Sequence, residues 1–241
     1  MKRLLISFSL IALLYLLILG CSDDEPTAPT QPARANVLIL DDVGTQDSLL
    51  KILDSANFDV TLGGPFWAYT GTNFSAYDLV IILHGVSYSE YIADSIQAAL
   101  RNYVNGGGVL LTTEWLLYYN ENTYDSILHS IIPVSYNDNY EYFPETYLKV
   151  TDHAITAGVP DSFDTRTDWT LVYMIDNATS LSTNHQVIYN GKNGGPAITI
   201  GTYGAGRSIH WAMAGQYRGA DIWSPEVRRI FINIAAFSKT I

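Results

Sequence analysis

The chain of 241 residues has a single cysteine, Cys21. One cysteine excludes an intramolecular disulfide, a cluster of thiolate metal ligands and a separate catalytic thiol. Positive charge is also scarce, because 13 Lys and Arg residues stand against 24 Asp and Glu residues, and the formal net charge is -11. This balance disfavours nucleic acid and anionic lipid headgroups as partners.

The chain also lacks the sequence motifs of phosphate binding and serine hydrolysis. The run Gly106-Gly107-Gly108 ends an expected helix instead of opening one, and Gly204-Ala205-Gly206 lacks the Lys-Ser or Lys-Thr that would reach a phosphate. No Gly-x-Ser-x-Gly elbow occurs. We therefore expect no nucleotide, no other cofactor and no serine nucleophile.

The first 20 residues have the order of a bacterial export signal. Lys2 and Arg3 precede an apolar run over 4–19 that only two serines interrupt. The run is shorter than the roughly 20 apolar residues of a spanning helix, although a plain anchor helix with an incidental cysteine is the alternative. It ends in Leu19-Gly20-Cys21, which resembles the lipobox of bacterial lipoproteins. Lipidation of Cys21 would anchor the chain to a lipid membrane through two lipid signals.

An acidic, proline-rich segment follows Cys21. Residues 22–35 have no apolar period, which predicts a disordered tether. Ser22 is not the Asp that is associated with inner-membrane retention, and the acidic run 23–25 resembles surface-export signals, although it could simply keep the tether solvated. We expect a lipid-anchored protein of the bacterial cell envelope, on the outer membrane or cell surface rather than the inner membrane. The expected organisation is a signal peptide (1–20), a lipidated Cys with its tether (21–35) and one domain (36–241).

From residue 36 onward, apolar runs alternate with segments of helical periodicity. Strands that are apolar throughout and are separated by helices indicate a parallel sheet covered on both faces. We predict an α/β fold with a doubly wound, mostly parallel sheet and added short strands in the C-terminal half. Predicted strands are 36–40, 59–62, 77–83, 108–113, 146–150, 170–174, 180–183, 186–189, 197–202 and 206–213, and predicted helices are 47–57, 91–104, 125–132 and 224–238.

Motifs in two stretches of the domain resemble one protein family. The most specific are Asp152-His153-Ala154-Ile155-Thr156, and Tyr203-Gly204 with Gly206-Arg207. They resemble ThuA-like domains, members of the class I glutamine amidotransferase-like superfamily, which implies a flavodoxin-like sheet. In the amidotransferases the turn after the strand that corresponds to 108–113 presents a nucleophilic cysteine, but here it reads Thr113-Glu114-Trp115. The resemblance therefore implies no glutaminase activity.

The candidate site lies at the carboxyl ends of the predicted parallel strands, where open sheets of this kind bind ligands. Glu114 and His84 are the catalytic candidates, and with Asp41 and Asp42 they could form an acid-base or hard-metal set. The alternatives are turn or capping roles for the Asp pair, a backbone-bonded ring for His84 and a solvated turn for Glu114. The predicted ligand-binding residues are Asp41, Asp42, Trp67, Trp115 and Gln216.

Three details restrict this site. ThuA-like proteins commonly carry histidine where this chain has Gln216, so a metal or acid-base role at that position is in doubt, and we predict no dedicated metal site. His153 reads as part of a turn whose polar side chains bind local backbone. His210 alternates with Ile209 and Trp211, which is typical of a partly buried strand histidine.

Aromatic residues are abundant in the predicted loops. The 17 tyrosines and five tryptophans suit sugar rings, which stack on aromatic faces, but they could equally pack against the sheet. We expect an envelope lipoprotein with a non-catalytic ThuA-like domain that binds a carbohydrate or another envelope component. The alternatives are a metal-assisted or acid-base enzyme acting on sugars, and a scaffold that docks an envelope protein.

Overall fold

In the computed structural model of the protein, the described residues are 34–42, 46–84, 87, 90–113, 116, 127–135, 146–165, 179–180, 184–192, 194–212 and 223–241. Residues 34–241 form one compact unit. Within the described residues there are three α-helices, α1 (Gln46–Ser55), α2 (Asp94–Asn105) and α3 (Pro225–Ser238). The strands are β1 (Asn36–Asp41), β2 (Asp59–Pro65), β3 (Leu79–Leu83), β4 (Val109–Thr113), β5 (Val134–Ser135), β6 (Thr146–Lys149), β7 (Ser162–Asp164), β8 (Thr179–Ser180), β9 (His185–Gly191), β10 (Pro196–Tyr203) and β11 (Gly206–Trp211).

Nine of these strands form one mixed sheet in the order β2-β1-β3-β4-β11-β10-β9-β6-β7. The first five are parallel neighbours, and their order is the order of flavodoxin-like folds. From β11 onward every neighbouring pair is antiparallel. The predicted α/β class is therefore confirmed, and the short C-terminal strands extend the same sheet. β5 and β8 pair separately.

Both faces of the parallel half are covered. Alternate residues such as Val37 and Ile39 pack with α1 and α3, and the residues between them, such as Leu38 and Leu40, pack with α2 and the 3-10 helix Ile127–Ile131. All of β3 and β4 is buried, which explains why β3 is apolar throughout and why β4 is apolar up to Thr112 and Thr113. We call these two sides the α3 face and the α2 face.

Several boundaries differ from the predictions for local reasons. α2 begins at Asp94, three residues after the predicted start, because Ala93 has an extended backbone with ψ of 140°. β2 continues to Pro65, and its exposed residues reflect its place at the edge of the sheet. β7 was not predicted, since only Phe163 of its three residues is buried. The predicted strand at 170–174 lies outside the described residues.

The hairpin between β10 and β11 fixes β11 beside β4. Gly204 has a positive φ of 57° in its turn. A side chain at Gly206 would overlap the backbone oxygens of Val104 and Gly108, so only glycine allows this approach to the end of α2. The close contact sets the register in which His210 lies opposite Thr112.

The closing helix α3 begins as its sequence predicts. The Ser224 side chain accepts a hydrogen bond from the Val227 N–H at 3.3 Å, and Pro225 occupies the first turn. Within the described part of the chain, no helix has the length and apolar character needed to cross a membrane.

Candidate functional site

His84 is completely buried directly after β3. Its backbone N–H donates to Thr113 Oγ1 at 2.7 Å, which holds the residue against β4. Its Nε2 lies 3.0 Å from the carbonyl oxygen of Ser87 and must donate, since a carbonyl only accepts. Nδ1 is then an acceptor, and it has no hydrogen-bond partner among the described residues. Burial lowers the pKa of His84 to about 3, against a small opposing effect of the Ser87 carbonyl, so the ring is neutral at pH 7.

Ser87 connects His84 to Asp42. The Ser87 N–H donates to Asp42 Oδ2 at 2.7 Å, while its carbonyl accepts from His84. Asp41 is buried, and its Oδ1 accepts from the Asp42 N–H at 2.6 Å. This bond is the turn chemistry that the sequence offers as the alternative role of the pair.

Trp67 lies in the same corner of the sheet. The ring of Phe66 is 4.5 Å from the His84 imidazole, and Trp67 meets Phe66 edge to face at 5.0 Å between centroids. Trp67 is half-buried. The structure therefore brings together Asp42, His84 and Trp67, three of the residues predicted for the site.

A second histidine lies on the same face of the sheet. His210 is opposite Thr112 of β4 and Thr199 of β10. Thr112 Oγ1 is 2.9 Å from His210 Nδ1 and 3.4 Å from the Ile209 carbonyl oxygen. Both hydrogen bonds form only if Nδ1–H donates to the hydroxyl and the hydroxyl donates to the carbonyl. In that tautomer His210 Nε2 is an acceptor.

His210 Nε2 is buried and unpartnered within the described part of the chain. Burial lowers the pKa of His210 to about 3, so this ring is also neutral. The hydroxyls of Thr199 and Ser208 are buried nearby and likewise lack a partner among the described residues. Each buried polar group without a partner costs about 1–3 kcal/mol, and such groups in native proteins are usually bound by water or a ligand.

The two histidines border β4 from either side. Ile82 of β3 is the register partner of Thr112, and Thr112 is the partner of His210. The strands that precede or carry the two histidines are thus about two strand spacings, or roughly 10 Å, apart, and His84 lies two residues, or roughly 7 Å, further along its own strand direction. Both lie toward the carboxyl ends of the parallel strands on the α2 face. We call His84, His210 and Thr112 the carboxyl-end site.

Four residues predicted for function lie outside the described residues, namely Cys21, Glu114, Trp115 and Gln216. No group of three His, Cys, Asp or Glu side chains in the described ranges is placed to hold a metal ion. Asp42 and His84 are linked by hydrogen bonds through the backbone of Ser87.

Sequence reasoning assigned His210 to strand structure and missed Thr112, Thr199 and Ser87. The signal that could have found the two threonines is their position in buried strands beside His210, since Thr112 of β4 and Thr199 of β10 are both its register partners and lie on the same face. His153 is placed as predicted, since its Nδ1 accepts from the Ile155 N–H at 3.2 Å in a local capping turn.

Comparisons with known proteins support the fold. The chain matches no family model and no curated protein. A cytoplasmic protein of Salmonella typhimurium is similar with a TM-score of 0.62 and 16% identity over 84% of this chain and 98% of that one. A Thermoplasma acidophilum protein that is named as part of a GMP synthase has a TM-score of 0.60 and 11% identity over 87% and 96%. A protein of Bacteroides uniformis named as ThuA-like has a TM-score of 0.58 and 12% identity over 88% and 94%. The chain therefore has a ThuA-like and glutamine amidotransferase-like fold.

Proposed function

We propose that this chain is a lipid-anchored protein of the bacterial envelope whose domain binds a neutral carbohydrate at the carboxyl-end site, without catalysing a reaction. The observation that carries the proposal is a pair of buried ring nitrogens, His84 Nδ1 and His210 Nε2, that have no hydrogen-bond partner among the described residues. Both are acceptors, so their natural partner is a ligand rich in hydrogen-bond donors. The hydroxyl groups of a sugar provide such donors, whereas a carboxylate or phosphate would bring further acceptors.

The low pKa values of the two imidazole rings favour binding over catalysis. A general base works best when its pKa is close to the working pH. The pKa values of His84 and His210 are about 3, so both rings are weak bases at pH 7. They are suited to orient hydroxyl groups rather than to remove their protons. Half-buried Trp67 adds an aromatic surface of the kind that packs on sugar rings, next to Phe66, whose own ring contacts His84.

The binding test uses the chain from residue 21 onward with Cys21→Ser, so that the protein is soluble, in calorimetric titrations with neutral mono- and oligosaccharides. His84→Gln keeps a donor for the Ser87 carbonyl and removes the Nδ1 acceptor. His210→Asn keeps a donor for Thr112 and removes the Nε2 acceptor. We expect each change to weaken binding by about tenfold or more, since each removes a buried hydrogen bond.

His129→Gln is the matched control, because His129 lies on the 3-10 helix Ile127–Ile131, outside the strands that hold the carboxyl-end site. It is expected to bind sugar as the parent protein does. Saturable binding that survives both site variants, in proteins with unchanged circular dichroism, would reject the proposed site. Conversion of a bound sugar to a product, followed by NMR, would instead support the enzyme alternative.

The anchoring test is separate. Cells that express the full chain are labelled with radioactive palmitate and then fractionated. We expect labelled protein in the envelope fraction and loss of both label and membrane attachment in Cys21→Ser. Attachment that persists without label in this variant would favour a plain anchor helix.

A further inference from the structure

A groove of about 330 Å³ lies on the opposite side of the domain from the carboxyl-end site. It is formed where β11 and β9 begin and where α3 ends, and His153, His185, Arg207 and Phe237 are among its lining residues. Arg207 alternates with Ile209 and Trp211, which pack on the α3 face, whereas His210 points to the α2 face. The two motifs that carry the ThuA-like resemblance, at 152–156 and 206–207, therefore meet in this groove.

Arg207 provides a fixed positive charge there. Its Nη1 donates to the Gly206 carbonyl oxygen at 2.9 Å, which holds the guanidinium near the start of β11. No carboxylate in the described ranges forms an ion pair with Arg207, although Lys149, Lys239 and Arg34 each pair with an Asp. The described lining has no acidic side chain. Acidic residues elsewhere in the chain are screened beyond about 8 Å at physiological salt.

His153 of the groove has the opposite hydrogen-bonding character from His84 and His210. His153 Nδ1 accepts from the Ile155 N–H, so the neutral ring carries its hydrogen on Nε2, which is a donor. Burial and then the charge of Arg207 lower the pKa of His153, so the guanidinium acts directly on this ring. His185 Nδ1 is buried and has no partner within the described part of the chain.

We propose that this groove binds a small molecule through a carboxylate or phosphate group, with Arg207 as the charged partner and His153 Nε2–H as a neutral donor. Guanidinium groups bind both oxyanions through charge-assisted hydrogen bonds. Phe237 packs edge to face on His153 at 4.9 Å between ring centroids and offers an apolar wall for the rest of the ligand. The groove is separate from the carboxyl-end site, because it lies where β9 and β11 begin. It also presents hydrogen-bond donors, whereas the carboxyl-end site presents acceptors.

The experiment titrates the Cys21→Ser chain with inorganic phosphate, with glucuronate and with glucose as the neutral counterpart of glucuronate. We expect saturable binding of phosphate, glucuronate or both, weakened by about tenfold or more in Arg207→Gln. Arg229→Gln removes the same charge from an exposed position of α3 and is expected to bind as the parent does. Phosphate binding alone would identify a phosphate ligand, and glucuronate binding alone a carboxylate.

A spectroscopic readout separates direct binding from a structural effect of the variant. The bound anion should raise the pKa of His153, measured by NMR titration of its ring protons, in the parent protein and not in Arg207→Gln. His84→Gln and His210→Asn should leave anion binding unchanged, so failure of the carbohydrate proposal would not affect this result. Absence of saturable binding of both anions, or equal binding by Arg207→Gln, would overturn the proposal.

Discussion

The two buried neutral histidines predict a specific loss of stability in mild acid. In the unfolded chain, a histidine has a pKa of about 6.5. In the folded chain, the pKa values of His84 and His210 are about 3. Between these values the unfolded state binds protons that the folded state does not, so stability falls as pH falls below about 6.5. The contribution of both rings is complete above pH 6.5 and is lost progressively toward pH 3.

The magnitude follows from the linkage relation. Each ring contributes about 1.4 kcal/mol per pH unit once pH is well below 6.5. At pH 5 this amounts to about 2 kcal/mol for each histidine and about 4 kcal/mol for the pair, relative to pH 7.5. A total stability of about 5–15 kcal/mol is normal for a domain, so this loss is large.

The assay is urea unfolding at pH 7.5, 6.5, 5.5 and 5.0, a range in which most carboxylates stay ionised in both states. The Cys21→Ser chain is compared with the double variant His84→Gln, His210→Asn. We expect the stability of the parent to fall by about 4 kcal/mol more than that of the double variant between pH 7.5 and 5.0. Equal pH dependence of the two proteins would refute the reasoning. If the double variant does not fold, the ring protons of His84 and His210 are titrated by NMR in the parent protein. A pKa near 6.5 for either ring in the folded state would also refute the reasoning.

Three further changes test the packing that positions the site, each measured by urea unfolding. Gly206→Ala should lower the free energy of unfolding by about 1–3 kcal/mol or more, because the added methyl group would overlap neighbouring backbone atoms. Gly106→Ala is the matched control and should lower it clearly less, because the nearest atom to its methyl group lies at 3.2 Å. Tyr147→Phe removes the acceptor of the buried Trp211 Nε1–H at 2.8 Å and should cost about 1–3 kcal/mol, so an unchanged midpoint would contradict the bond. Ser224→Ala should cost about 1 kcal/mol through loss of the α3 cap, and a larger effect would indicate an additional role.

The parallel half of the sheet was predictable because its signals are local. β1, β3 and β4 are buried on both faces, so each contains a run of at least three consecutive apolar residues. The start of α3 is predicted by the capping residue Ser224 and by Pro225 in the first turn. β7 is different, since its three residues carry one buried side chain and it exists only through its pairing with β6. Pairing between distant short segments depends on the whole fold, which no local pattern contains.

The candidate site was predictable to the same extent. The strand-end rule predicts a site at the carboxyl ends of the parallel strands, and the structure places Asp42, His84 and Trp67 together in one corner there. The connection through Ser87 depends on the path of a loop, and the bond between Thr112 and His210 depends on the register of β4 against β11. The bond between Thr112 and His210 joins residues 98 positions apart, so its chemistry could be assigned only after β4 and β11 had been paired.

The position of β11 in both chain and sheet has a consequence for how the molecule forms. β4 lies between β3 and β11, yet β11 is made about a hundred residues later and, among the described elements, only the closing helix follows it. The centre of the sheet therefore stays open until almost the whole chain is present, and pairing over such a separation is slow. For the exported protein proposed above, late closure by β11 would delay completion of the sheet until nearly the whole chain is available.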